Sequence, residues 1–188
     1  MSNKEIFKQT VDNLIHREGI ADLMAWLESS DFYIAPASSR FHGNSPGGLL
    51  EHSINVYNEL QRLLVAYPEV ECSKETAAII ALFHDVCKVN MYVPEKRNRK
   101  NDQGFWEQYD AYRIDEKFKF GGHGSKSVFL LQQFIKLTPE EAVAINNHMG
   151  AWHNEHCGES WSQYPLGFLL HVADGAATYI LEGKPWAR

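Results

Sequence analysis

An adjacent histidine and aspartate, His84 and Asp85, end an unbroken run of apolar residues, 77–83. The run predicts a buried helix end, where a carboxylate is costly unless it is paired or binds a metal. Lys88 follows one helical turn after His84, so we expect its side chain beside the same pair. Imidazole and carboxylate groups are common ligands of transition metals. The pair therefore indicates a candidate metal site, which needs further ligands from elsewhere in the chain.

Four further residues of these types lie where helices or turns would present them to the interior. His52 falls on the apolar stripe of its predicted helix, and Asp174 interrupts a helix that is otherwise apolar. His148 lies near the end of a third helix, and His123 lies in a glycine-rich turn. Each alone has a structural explanation, but together they predict one metal-binding interior. The set contains no clustered thiolates. It therefore indicates a site for Zn, Mn, Fe, Ni or Co with imidazole and carboxylate ligands, and not a cysteine-rich structural zinc site.

The elements expected to hold these residues are mostly helices. Apolar spacing and helix-start signals predict them over about residues 6–15, 20–27, 45–67, 73–85, 139–149 and 165–181. The third begins with Ser45 as a cap and Pro46 at the first helical position. Residues 138–141, Thr-Pro-Glu-Glu, form a capping box for the fifth. A further helix is expected after the glycine-rich turn that holds His123.

Residues 91–120 break this helical pattern. Aromatic and charged residues alternate on either side of Asn101-Asp102-Gln103-Gly104, which predicts an inserted β-hairpin. We expect Trp106, Tyr109 and Tyr112 to pack on the helical body, with base stacking as the alternative. The prediction is therefore a single all-α domain, 1–188, with N-terminal helices within 1–30 and a small hairpin.

Composition limits the classes of partner. The net charge of −6 over 188 residues argues against broad binding to nucleic acid. Four basic residues within 96–100 predict a solvated hairpin tip, with a phosphate-binding groove as the alternative. The longest apolar run is far too short to span a membrane, and the polar N-terminus predicts no signal peptide. Three cysteines without a framework spacing predict reduced thiols, so we expect a cytoplasmic protein.

The order of these residues resembles the HD superfamily of metal-dependent phosphohydrolases, which are all-helical domains. The matching segments are Gly47–Ser53, Leu82–Lys88 and His171–Asp174. The similarity spans about residues 45–181. It implies a first metal ion held by His52, His84, Asp85 and Asp174. His123 and His148 occupy the places where dinuclear members bind a second ion, and Asp85 would then bridge the two.

The dinuclear branch includes cyclic-dinucleotide phosphodiesterases and the HD domains of some exoribonucleases. Two departures from the family pattern limit the resemblance. Cys87 stands where a glycine often follows the dyad, and His148 lacks the adjacent second histidine of HD-GYP phosphodiesterases. The GYP segment of those phosphodiesterases also has no counterpart here, and together these differences disfavour a third metal ion and cyclic-di-GMP as the substrate.

The expected function is metal-dependent hydrolysis of a phosphoester in a nucleotide or related small molecule. Two ions of Mn, Fe, Zn, Ni or Co, or Mg in their place, would activate water and stabilise the reacting phosphate. Asp85 and Lys88 are the expected catalytic residues, since Lys88 would contact phosphate. Arg40 and His42 are expected near the pocket mouth as substrate-binding residues.

Two alternatives stay open. Within enzymes, the alternative is a nuclease or cyclic-nucleotide phosphodiesterase, with single-stranded nucleic acid as a partner. Outside enzymes, it is a metal-stabilised interaction module without turnover. His153, His156 and Cys157 form a small separate cluster, which we interpret as an exposed polar loop rather than an auxiliary metal site.

Overall fold

A computed structural model describes residues 1–152 and 154–183, and for Trp152 only the backbone. Its helices are α1 (Asn3–Leu14), α2 (Ile20–Ser29), α3 (Gly48–Ala66), α4 (Lys74–Phe83), α5 (His123–Leu131), α6 (Pro139–Asn146), α7 (Cys157–Gln163) and α8 (Pro165–Ala176). A 3₁₀ turn, Val86–Lys88, follows α4, another, Gly150–Trp152, follows α6, and α8 continues as a π-helical turn, Ala177–Leu181. Strands β1 (Tyr92–Lys100) and β2 (Trp106–Ile114) form an antiparallel hairpin. The prediction of an all-α fold with an inserted hairpin is confirmed.

Side-chain caps fix two of the helix starts, as predicted. The Ser73 hydroxyl accepts a hydrogen bond from the Thr76 backbone N–H and starts α4. Thr138 and Glu141 form the complete capping box of α6. The end of α6 comes earlier than the predicted Met149, because the chain leaves the helical path after Asn146. His148 therefore lies in the turn that follows α6 rather than within a helix.

The start of α3 also differs from the prediction. The helix begins at Gly48 rather than Pro46, and Gly47 precedes it with a φ of +80°. The backbone N–H groups of Gly47 and Leu49 donate to the carbonyls of Ile34 and Ala35, so the preceding loop holds the first turn. A Cβ atom at Gly48 would lie 2.0 Å from the Gly43 carbonyl oxygen. This close approach requires glycine at position 48 and presses the loop against the helix that carries His52.

The hairpin turn is built by one asparagine and one glycine. Asn101 Oδ1 accepts hydrogen bonds from the backbone N–H groups of Gln103 and Phe105, and Gly104 has a φ of +81°. Strand β2 ends at Ile114, so the predicted hairpin over 91–120 is too long at its C-terminal end. The expectation that Trp106 packs on the helical body is wrong, because the residue is 71% exposed at the hairpin tip.

A core of aliphatic and aromatic side chains joins the N-terminal helices to the rest. The ring of Phe7 in α1 lies 5.1 Å from that of Phe32 and 5.8 Å from that of Phe83, measured between centroids. The helix α3 packs against both α4 and α8, which brings the predicted site residues of these three elements to one interior. None of the described helices has the length and hydropathy that a bilayer span needs.

The segment after the second 3₁₀ turn is partly helical, and the prediction of a polar loop there is wrong in part. Cys157 is buried at the start of α7, because the helix packs its first residue inward. The His156 side chain is exposed, as expected for a loop. His153 lies outside the described residues.

Candidate metal centre

The dyad lies at the junction between α4 and the 3₁₀ turn that follows it. All apolar residues of 77–83 are buried, and they anchor the helix end in the core. His84 is fully buried and Asp85 is 3% exposed. The helical path stops at this point, so consecutive side chains can face one interior from different directions.

Three buried histidines, His52, His84 and His148, share one bonding arrangement. In each, Nδ1 lies near an oxygen atom: a Glu182 carboxylate oxygen at 3.1 Å, the Ala81 carbonyl at 2.8 Å and the Ile145 carbonyl at 2.7 Å, respectively. Because a carbonyl oxygen only accepts, Nδ1 carries the hydrogen and the Nε2 lone pair faces the interior in the neutral ring. Within the described residues, none of the three buried Nε2 atoms has a hydrogen-bond partner. A metal ion would satisfy all three.

The carboxylate of Asp85 lies between these rings. Its Oδ2 atom is 3.5 Å from His84 Nε2 and 3.7 Å from His52 Nε2, whereas its Oδ1 atom is 3.6 Å from His148 Nε2. Asp174 Oδ1 is 3.2 Å from His52 Nε2. The two oxygens of Asp85 thus face different histidines, which is the placement that a bridging ligand needs.

Three groups of described residues each offer potential ligand atoms that lie within 4.8 Å of one another. One of them, His42, His52 and Glu182, includes residues outside the predicted metal ligands. The other two comprise His52, His84 and Asp85 in one case, and His84, His148 and Asp174 in the other. These five residues belong to four separate parts of the chain, which the packing of α3, α4, α6 and α8 brings together. Their imidazole and carboxylate donors fit a divalent transition metal ion.

Lys88 holds the Asp85 carboxylate in its ionised form. The Lys88 Nζ atom lies 2.5 Å from Asp85 Oδ2, and both side chains are buried. Burial alone would raise the pKa of Asp85, but Lys88 and His84 outweigh it and lower the pKa well below its usual range. Burial opposes the charge on Lys88 as well, yet Asp85 raises the pKa of the ammonium group. The pair is therefore a carboxylate beside an ammonium ion.

The carboxylates around His52 favour its protonated form. Burial disfavours its charge, but Asp174 and Glu182 outweigh that effect and raise the pKa of His52 to about 9. The same contact lowers the pKa of Asp174, against the effect of its burial. A proton and a metal ion would therefore compete for His52 Nε2.

A cavity of about 290 Å³ opens beside these residues. Its lining includes Asp85, Lys88, His148 and Asp174, together with His42 and His123. His123 Nδ1 lies 3.6 Å from Cys87 Sγ, and His123 belongs to none of the three close ligand groups among the described residues. The structure thus brings His123 to the same cavity but not into a close ligand group.

His42 lies deeper than the predicted pocket mouth. Its ring centroid is 4.8 Å from that of His52, and its Nε2 atom is buried without a partner among the described residues. Burial, together with the charges of His52 and Lys88, lowers the pKa of His42 to about 4. Arg40, only two residues earlier, lines a different cavity, beside the hairpin.

Two residues of the site were missed in the sequence. Glu182 accepts a hydrogen bond from Asn55 Nδ2 at 2.9 Å, and its carboxylate orients the His52 ring by contacting His52 Nδ1. The Nδ1 atom of His171 lies 2.6 Å from the His148 carbonyl oxygen, and its ring stacks on Trp161. The available signal for Glu182 was its position two helical turns after Asp174. His171 was visible only as part of the motif around Asp174.

The sequence comparisons identify the protein family to which this helical fold and this set of potential ligands belong. The family model for the HD domain matches residues 49–178, and the chain belongs to this family. HD domains bind divalent metal ions, which agrees with the donor set described above.

One curated relative is similar over most of the chain. It is the dihydroneopterin 2′,3′-cyclic phosphate phosphodiesterase of Methanocaldococcus jannaschii, which is 33% identical over 149 residues. The aligned region covers 78% of this chain and 52% of the relative, so the chain spans about half the length of that protein. No solved structure matches the chain.

Proposed function

We propose that this chain is a metal-dependent phosphodiesterase that hydrolyses a small phosphodiester. The observation that carries the proposal is the Asp85 carboxylate, which is ionised beside Lys88 and surrounded by three imidazole Nε2 atoms that have no hydrogen-bond partner among the described residues. The named activity of the curated relative favours a diester, and in particular a cyclic one, over a phosphate monoester. The cavity of about 290 Å³ lies at the lower end of ligand-site volumes, which favours a small substrate.

The proposed ligands form two sets that share Asp85. One ion would be held by His52, His84, Asp85 and Asp174, and a second by Asp85, His123 and His148. Bound ions of this kind polarise a phosphoryl oxygen and lower the pKa of water. Mn, Fe, Co, Ni and Zn match these donors best, and Mg is a weaker match because it prefers oxygen ligands.

The remaining groups of the cavity bind and orient the substrate. Lys88 keeps its positive charge and contacts a non-bridging phosphate oxygen, since its ammonium group has three donors and Asp85 engages only part of them. His42 stays neutral at physiological pH because its pKa is lowered to about 4. The neutral ring therefore donates a hydrogen bond to the substrate or accepts one from it, and it adds no charge to the site.

The test is a turnover assay with defined metal content. The chain is stripped with a chelator, reloaded separately with Mn, Fe, Co, Ni, Zn or Mg, and assayed with 2′,3′-cyclic AMP and with 4-nitrophenyl phosphate. We expect the cyclic diester to be hydrolysed at least tenfold faster than the monoester, and only after metal is added. The variant His84→Ala should lose this activity, whereas His16→Ala, with an exposed side chain, should retain it. Faster hydrolysis of the monoester would contradict the proposal.

A further inference from the structure

A second cavity, of about 460 Å³, lies between the hairpin and the loop before α3. Its polar lining consists of Ser39, Arg40, Asn44, Arg97, Arg99 and Tyr109. We call it the arginine cavity. Three of its described lining residues are arginines and none is acidic, although the whole chain carries a net charge of −6. Glu95 and Glu107 each pair with one of these arginines from outside the lining, so an anion would be bound through the remaining guanidinium donors.

The hairpin register places two of the arginines on the inner face. Arg97 is opposite Tyr109, and Arg99 is opposite Glu107. Side chains alternate between the two faces of a strand, so these residues share the face on which Ala111 is buried. The lysines at positions 96 and 100 belong to the opposite face. The alternation explains why a basic segment contributes arginines, and not lysines, to the cavity.

Both hairpin arginines are held in place from one side. Arg99 Nε donates to Glu107 Oε1 at 2.6 Å, and its guanidinium carbon lies 5.0 Å from the centroid of the Tyr109 ring. Arg97 Nε pairs with Glu95, and its Nη2 donates to the Tyr112 carbonyl oxygen at 3.2 Å. Neither glutamate lines the cavity. The other guanidinium donors remain available for a planar, bidentate contact of the kind that phosphate makes.

A single loop joins the arginine cavity to the metal centre. Arg40 lines the arginine cavity, whereas Phe41 and His42 line the cavity beside Asp85. Ser38 fixes this loop, because its hydroxyl accepts from the Phe41 N–H and donates to the His42 carbonyl, each at 2.8 Å. The Cα atoms of residues 40 and 42 are at most about 7 Å apart. The two cavities are therefore lined by consecutive residues of one loop, which makes them candidates for one extended ligand.

We propose that the arginine cavity binds a second phosphate group of the substrate, remote from the phosphodiester that is hydrolysed. The substrate class is then a small nucleotide-like molecule with at least two phosphate groups, one of them in the diester. The identity of the hydrolysed group rests on the proposed function, but binding of phosphate in the arginine cavity does not. Arg97 and Arg99 determine specificity, and they take no part in the chemical step.

The first test measures binding without turnover. Inorganic pyrophosphate is titrated calorimetrically into the full chain in the presence of EDTA, which keeps the metal centre empty. We expect Arg97→Ala/Arg99→Ala to weaken binding at least tenfold, because two charge-assisted contacts are lost. The matched control, Lys96→Ala/Lys100→Ala, removes two charges from the opposite face of the same strand and should change affinity less than twofold. The variant Arg97→Lys/Arg99→Lys retains the charge and should fall between them.

The second test measures turnover by the metal-loaded chain. The substrates are 2′,3′-cyclic AMP and the same molecule with a 5′-phosphate. In the unmodified chain, we expect the 5′-phosphate to lower KM at least fivefold. In Arg97→Ala/Arg99→Ala this advantage should disappear, whereas Lys96→Ala/Lys100→Ala should keep it.

The two tests separate the two proposals. Absence of pyrophosphate binding, or equal weakening of that binding in the arginine and lysine variants, would overturn the proposal that the arginine cavity binds phosphate, even if the diester is hydrolysed. Arginine-dependent pyrophosphate binding without any diester turnover would support phosphate binding in the arginine cavity and overturn the proposed function. An unchanged advantage of the 5′-phosphate in the arginine variant would overturn the specificity role.

Discussion

Each histidine at the centre of the site is fixed through one ring nitrogen and open at the other. His84 and His148 use backbone carbonyls of the preceding helical turn for this purpose, so their orientation is set locally. His52 instead depends on Glu182, which is 130 residues away in the chain. A carboxylate on Nδ1 orients the ring and makes Nε2 a stronger ligand. Glu182 is therefore the positioning residue to test.

Replacement of Glu182 by alanine should weaken metal binding about 10- to 100-fold, which is the usual effect of removing such a partner. Glu182→Gln retains an oxygen that accepts from Nδ1, so its loss should be smaller. The measurement is the metal dissociation constant, with Glu159→Gln as the control, because Glu159 is exposed at the start of α7. Equal losses in the alanine and glutamine variants would show that only the charge matters.

The sequence predicts the residues of this centre better than the contacts between them. His52 and Asp174 were visible as polar residues on apolar helices, because burial makes such residues costly without a partner. Glu182 carried only the weaker signal of its position two helical turns after Asp174, because it lies beyond the predicted end of the last helix. Its contact with His52 exists only after α3 and the turn beyond α8 pack together.

At the scale of elements, one glycine sets the distance between two helices of the site. Gly124, the second residue of α5, lies so close to α6 that a Cβ atom would be 2.2 Å from the Asn146 carbonyl oxygen and 2.6 Å from that of Ile145. The Ile145 carbonyl is also the acceptor for His148 Nδ1. The spacing of the helices and the orientation of a candidate ligand are thus linked.

Gly124→Ala should destabilise the fold by about 1–3 kcal/mol, as overpacking does. It should also weaken metal binding, because α6 must move away together with His148. Gly158→Ala is the matched control, since no other described part of the chain lies within 4 Å of its Cβ position, and it should be neutral or stabilising by up to about 1 kcal/mol. Chemical denaturation and metal titration of both variants provide the comparison. An unaltered stability in Gly124→Ala would refute the close packing of α5 on α6.

Helix boundaries were predictable where a side chain forms the cap. Thr138 fixes the start of α6 through its own hydroxyl and Glu141, which are adjacent in the sequence. The start of α3 depends instead on Ile34 and Ala35 in a folded loop, so Ser45 and Pro46 gave a boundary two residues too early. Local signals predict local caps, and they do not report a loop that packs on a helix.

At the scale of the whole molecule, a partly buried ion network joins the N-terminal helices to the HD core. Arg17 donates to Glu141 at 2.6 and 3.1 Å and to Glu75 at 3.1 Å. Arg17 lies outside the region 49–178 that the family model matches, whereas both glutamates lie within it. We propose that the described N-terminal helices and this core unfold as one domain.

Glu141→Gln should lower the free energy of unfolding by about 1–3 kcal/mol, because it removes the buried carboxylate charge that faces a partly buried Arg17. Glu140→Gln, one residue earlier, should change it by less than about 0.5 kcal/mol. Burial and the neighbouring Glu141 already raise the pKa of Glu140, so its charge is unfavourable. Denaturation followed by far-UV circular dichroism should show a single transition in each variant. Two separate transitions would contradict a single domain.

The most direct test of the metal-dependent site is a titration of Mn into metal-free chain, with the rate of bis(4-nitrophenyl) phosphate hydrolysis as the readout. The unmodified chain and the control Asp110→Ala, altered at an exposed residue of the hairpin, should rise from the uncatalysed rate to a plateau. Asp85→Ala should stay at the uncatalysed rate at every Mn concentration, because it removes the carboxylate that lies between the three histidines. Full activity in Asp85→Ala would contradict the assignment of the site.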